Sequence, residues 1–134
     1  MISDRLKLFI ESIDRAFVAS ADELGMPHLA AGNDPQVPDP RHLVFEAWFC
    51  PTTLRNVAQN PRVAVTIIVP DSGAGYQLCG TVETMVDAAI LDGYAPGTEE
   101  PGLPQVQSRL VVRVDEVMEF SAGVHSDHPL ESGN

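Results

Sequence analysis

WFCPTTLRNVAQNPRVAVTII, residues 48–68, is the stretch on which the reading of the fold turns. It opens at the end of an apolar run, HLVFEAW (residues 42–48), and closes in a second β-branched run, RVAVTIIV (residues 62–69), both of strand length and composition. Between them lies a short polar segment that begins at Pro51 and two adjacent threonines, Thr52 and Thr53, and stops at Asn60-Pro61. The residue before a proline is pushed out of the α region, so a helix started near Pro51 ends there. This is the one strand pair bridged by anything helix-like. A βαβ sheet would need such a bridge at every crossover, so the pattern favours an all-β sandwich or small closed barrel.

Outward from that stretch, the upstream chain reads as a helix and a hairpin. Leu6, Phe9, Ile10 and Ile13 repeat at i, i+3, i+4 and i+7, which places four apolar groups on one helical face, with Ser3 as N-cap and a span of residues 3–11. RAFVASA (15–21) and PHLAAG (27–32) flank DELGM, whose Gly25 supplies the positive φ that a tight reversal needs. Residues 32–41, GNDPQVPDPR, carry three prolines and read as a loop, because proline offers no N–H to a sheet interior.

Downstream, PDSGAG is a turn into YQLCGTVETMV (76–86), a long strand in which Gly80 marks a bulge or a close backbone approach. Residues 87–107 read as an irregular connection with at most one helical turn around residues 88–94. The last strand is SRLVVRVDEVMEF (108–120), with Leu110, Val112, Val114 and Val117 on its buried side. The expectation is therefore a mainly β protein: six strands forming a sandwich or a small closed barrel with short capping helices, in a single domain over residues 1–122, followed by a flexible tail at 123–134.

Composition narrows the function. The chain has 134 residues, 44% of them apolar and 20% charged, which suits one globular domain. Nineteen acidic residues against eight Lys and Arg give a net charge of −11, so neither nucleic acid nor an anionic membrane is an expected partner. Neither a signal-peptide pattern nor a bilayer-length apolar run is present, and a cytoplasmic location is the expectation. The two cysteines, Cys50 and Cys79, fit no CxxC spacing and read as small, partly buried thiols. His28 and His42 read as structural, and His125 and His128 lack a third ligand, so no metal site is expected. Hydrolase triads, P-loops and Rossmann fingerprints are missing.

Taken in order, A…D.LG.PH, TL.NV..NPRVAV and GYQL.GTVE resemble the pyridoxamine 5′-phosphate oxidase-like family of FMN-binding split barrels, especially its small standalone members. The match runs over about residues 9–83, and its most specific parts are Asn56-Val57 with Asn60-Pro61-Arg62-Val63, and Gly75-Tyr76-Gln77-Leu78 with Gly80. The resemblance implies a Greek-key split barrel that forms a homodimer with FMN in grooves between subunits, and a role as a flavin-dependent oxidoreductase transferring electrons or hydride. It also admits a non-enzymatic binding barrel, or one that holds a deazaflavin or haem.

On that footing Thr52 and Thr53 are candidates for the FMN phosphate, since a helix N-terminus presents unpaired N–H groups and partial positive charge; on the residues alone Thr52 reads first as a plain helix cap. Arg55 is the favoured counter-charge, ahead of Arg41 and Arg62. The family's ring-facing strands match Ala30, Ala31 and Gly32, whose backbone can donate, and Glu46, Ala47 and Trp48, which can line the ring; Trp48 reads equally as a core or interface aromatic. Gln77 matches a position that relatives direct toward the partner's ligand. Thr52 and Cys79 stand where relatives often carry basic residues.

Overall fold

The computed structural model describes residues 1–91, 105–123 and 129–130, with backbone alone at 84–91 and 105–107. Helix α1 (Asp4–Ser12) is capped by Ser3, whose Oγ accepts the Leu6 N–H at 3.1 Å, and it buries Leu6 and Ile10. Strands β1 (Arg15–Ala21) and β2 (Pro27–Asn33) form the expected hairpin. Gly25 takes φ 87° in its turn, and Asp22 Oδ1 accepts the Leu24 and Met26 N–H groups at 2.9 and 2.8 Å.

Strand β3 (Gln36–Asp39) departs from the sequence reading, which made this segment a loop and counted six strands in all. The sheet has seven strands, in the order β2-β1-β5-β6-β7-β4-β3. The extra strand is compatible with its one proline, Pro38, because it lies on the sheet edge, where a missing N–H interrupts no second ladder. It is fastened from outside the sheet, by Glu11 of α1 accepting the Val37 N–H at 2.8 Å, and Val37 is buried.

Next come β4 (His42–Trp48), α2 (Pro51–Gln59), β5 (Arg62–Ile68), β6 (Gly75–Leu91) and β7 (Gln105–Phe120). Every pairing is antiparallel. Helix α2 carries the chain from β4, near one end of the sheet, to β5, in the other half, and this crossover makes the order Greek-key. Strands β6 and β7 are longer than expected: β6 continues through residues 88–91, of which 89–91 pair with β7, replacing the helical turn read there, and residues 92–104 lie outside the described part. Cross-strand pairing here overrides the weak local helical preference. Gly80 meets the expectation of close approach: a Cβ there would run into the Arg113 carbonyl, and the β6–β7 register shifts between Cys79 and Gly80.

The sheet curls into a split half-barrel. Val18, Val65, Ile67, Leu78, Leu110, Val112, Phe45 and Trp48 are buried along its concave side, closed by Ile10 of α1 and Val57 of α2. Each aliphatic side chain so buried contributes about 1.5–3 kcal/mol. Edge strand β2 lies over β4 at Gly32, where a Cβ would collide with the Trp48 ring and approach Phe45 Cδ1 to 2.8 Å. The Phe45 and Trp48 rings meet edge to face, with centroids 5.2 Å apart. Of the expected tail, Leu130 packs against the core and donates its N–H to the Val117 carbonyl at 2.7 Å.

Candidate functional site

Pro51 opens α2 at a position where its missing N–H costs nothing, and Asn60 closes it by donating to the Asn56 carbonyl at 2.7 Å. The helix is held down by buried Val57 and by Asn56, whose Nδ2 donates to Ser20 Oγ of β1 at 3.0 Å. Its N-terminus is thereby fixed beside β1 and β2. Cys50 is the N-cap, but its side chain accepts no capping hydrogen bond, so the first-turn amides of α2 keep donor capacity.

Thr53 is fully buried, and its Oγ1 has no hydrogen-bond partner. A buried hydroxyl left unpaired costs about 1–3 kcal/mol, which makes it an exception in need of a reason. Thr52 is partly exposed; its Oγ1 accepts from Arg55 Nη2 at 3.2 Å, which folds the guanidinium back over the start of the helix. Glu46 pairs with Arg109 Nε at 3.1 Å, not with Arg55. Arg62 lies elsewhere, at a shallow cavity with Asn60, Asp115 and Glu116.

Beside the helix start, His28 of β2 places Nε2 3.5 Å from Cys50 Sγ. Burial pushes the Cys50 thiol up, but the Thr53 N–H and hydroxyl, His28 and the Thr52 N–H outweigh it and bring the thiol down to about 7. These dipoles act on the sulfur without completing a cap in hydrogen-bond geometry. Sequence reasoning missed this pair. A cysteine directly ahead of a helix-opening proline was the available signal, since helix N-termini acidify thiols, but nothing local indicated that His28 would be the neighbour.

The remaining candidates fall in two places. Glu46 and Ala47 line a cavity of about 830 Å³ together with Lys7, Asn33, Phe49 and Arg109. That cavity does not include the start of α2. Trp48 is 1% exposed and belongs to the core, its Nε1 donating to the Cys50 carbonyl at 3.2 Å. Gly32 is buried beneath it, and Ala30 packs against the same core. The bonds from Asp34 N–H to Asp14 O and from Asp22 N–H to Met26 O bracket the β1–β2 ladder. Alternation between them turns the N–H of Ala31 toward the open edge of β2, and those of Ala30 and Gly32 toward β1.

Gln77 lies on the convex side of the sheet, its Nε2 3.4 Å from Cys79 Sγ and 3.6 Å from Met118 Sδ. Ala31, Phe17, Thr66, Gln77 and Met118 form one row across this side, and Leu29, Ala19, Ala64, Cys79 and Glu116 form the next. Among the described residues no three His, Cys, Asp or Glu side chains converge on a cation site, and no helix is long and apolar enough to cross a membrane. His125 and His128 lie outside the described residues.

Comparison with known proteins agrees with this architecture. HupZ of Group A Streptococcus superposes with a TM-score of 0.69 at 17% identity, covering 94% of this chain and 99% of that one. An FMN-binding protein of Syntrophomonas wolfei gives 0.62 at 14% identity, over 88% and 85% of the two chains. The haem storage protein HutZ of Vibrio cholerae gives 0.58 at 13% identity, over 90% and 98%. At such identities the likeness speaks for the fold. No curated protein matches significantly in sequence. The family model for pyridoxamine 5′-phosphate oxidase, however, matches residues 2–118, nearly the whole of the described barrel, and the chain belongs to that family.

Proposed function

We propose that this protein is an FMN-binding flavoprotein of the pyridoxamine phosphate oxidase-like group, acting as a homodimer in electron or hydride exchange with a small-molecule or redox-protein partner. The observation that carries the reading is Thr53 Oγ1, a fully buried hydroxyl without a partner at the N-terminus of a helix whose cap is unfilled. A phosphate accepts from the hydroxyl and from first-turn amides together, and the helix dipole favours its charge. Arg55, already resting on Thr52, supplies the nearest cation. FMN, when bound, supplies a ring that accepts and returns electrons or a hydride. The chain's part would be to orient that ring: the open-edge N–H of Ala31 could donate to a ring acceptor, and Glu46 and Ala47, which line the cavity with Asn33, could wall it.

The homodimer rests on the convex side of the sheet. Leu29 is 66% exposed there and Phe17 36%, flanked by Ala19, Ala31 and Ala64. An apolar strip of this kind suits a self-complementary contact, which would bring Gln77 of one copy toward the groove of the other.

A second reading is a barrel that has given up flavin, which charge favours, or one that holds haem or a deazaflavin. Of the arginines weighed for the phosphate, only Arg55 stands at α2, and the chain carries a net charge of −11. A visible spectrum of the purified protein, followed by fluorescence titration with FMN and riboflavin, separates the two. The flavin reading expects yellow colour or its appearance with FMN, and much weaker binding of riboflavin, which lacks the phosphate. Equal or absent binding of both flavins supports the second reading.

A further inference from the structure

Cys50 and Cys79 are both partly exposed thiols, but their settings differ. Cys79 lies on the convex side of the sheet beside the Gln77 amide. Cys50 precedes α2 with an extended backbone (φ −77°, ψ 108°), and its carbonyl is pinned by the Trp48 indole at 3.2 Å. Its sulfur therefore sits at the positive end of the helix, 3.5 Å from His28 Nε2, and next to the fully buried Thr53 hydroxyl that no hydrogen bond satisfies. An imidazole, uncapped amides and an unused hydroxyl thus converge on the sulfur of one partly buried cysteine, a setting that stabilises a thiolate.

We propose that Cys50 is a thiol-exchange site, which reacts with low-molecular-weight disulfides through a thiolate formed with the help of His28. The Cys50 sulfur attacks one sulfur of the disulfide, the new S–S bond joins Cys50 to that half, and the old S–S bond breaks. The other half leaves as a thiolate. Cys50 is oxidised and the departing sulfur reduced, so electrons balance, while His28 Nε2 takes the thiol proton and can pass it to the leaving group. This chemistry needs no flavin, but it draws on the Thr53 hydroxyl and α2 amides that the phosphate reading also uses, so it belongs to the flavin-free protein, in which it is tested.

The test uses the full-length chain with Cys79→Ser, leaving one thiol, and oxidised glutathione as the disulfide. Rates are followed at pH 7 by intact mass, folded in buffer and unfolded in urea. Lowering the thiol from an ordinary value of 9.0 to about 7 raises the thiolate fraction about fiftyfold. Lower basicity takes back about tenfold in nucleophilicity, leaving the folded protein about fivefold faster than the unfolded chain. Folding ordinarily slows a partly buried thiol, so a folded rate equal to or below the unfolded rate overturns the proposal. His28→Asn in the same background should lose part of the gain and move the midpoint of the rate–pH profile upward; an unchanged rate and midpoint overturn the part given to His28. Glutathionylation of a Cys50→Ser chain as fast as the parent would place the reaction at Cys79 and overturn the assignment.

Discussion

Replacing Thr53 by Val tests the candidate site through two effects of opposite sign. Valine keeps the shape of threonine and is equally β-branched, so packing and helix propensity change little. What is removed is a hydroxyl that is fully buried and has no partner. An unsatisfied buried hydroxyl costs about 1–3 kcal/mol, and taking the lower figure the ligand-free variant gains about 1 kcal/mol. With an unfolding entropy of about 2.1 cal/mol/K per residue, that gain raises Tm by about 3–4 °C for a chain of this length. If the same hydroxyl donates to a phosphate, its loss forfeits a hydrogen bond to a charged group, about 1.5–3 kcal/mol, or about 10–150-fold in Kd for FMN. Differential scanning calorimetry without ligand and fluorescence titration with FMN read the two effects separately. A variant that is less stable than the parent without ligand refutes the reasoning, because the hydroxyl would then be satisfied within the fold. Unchanged FMN affinity places the phosphate elsewhere.

Gly32→Ala should lower stability by about 1–3 kcal/mol in urea unfolding, since the added Cβ meets the Trp48 and Phe45 rings. Leu29→Glu should convert the expected dimer to monomer in sedimentation velocity without loss of the folded circular dichroism spectrum, because it charges the exposed apolar strip. The His42 imidazole bridges Asp39 (2.9 Å) and Glu83 (2.7 Å) and so ties β4 to β3 and β6. The Asp39 carboxylate first, then Glu83, raises its protonation range, so its stabilisation is full below the ordinary value of 6.5 and is lost as pH rises through the raised one. Asp39 is held below its ordinary 3.8 by the Arg41 N–H and then by His42, so its share is present above 3.8 and is lost as pH falls through the lowered value. The urea midpoint should therefore be highest between these limits, and His42→Asn should flatten the alkaline side of the profile.

Several elements were legible in the sequence because their causes are local. Ser3 and the spacing of Leu6 and Ile10 specify α1, Gly25 specifies the first hairpin turn, and Pro51 with Asn60-Pro61 brackets α2. Each is set by sterics or capping within a few residues, as is the alternation that makes residues 62–68 a strand. The order of these motifs was enough to reach the family. What the sequence could not reach depended on which distant segments meet. Residues 36–39 become a strand only because β4 offers an edge on which Pro38 forfeits no ladder bond, and residues 89–91 because β7 pairs with them. Trp48, equally readable as a ligand or core residue, is committed to the core by Gly32 sixteen positions earlier, whose missing side chain makes room for the ring. The Cys50–His28 pair spans twenty-two positions and exists because Asn56 and Val57 seat α2 against the hairpin. Local propensity acts over a few bonds, whereas these contacts are fixed by the curvature of the sheet and the close packing of its core, which no short window of sequence contains.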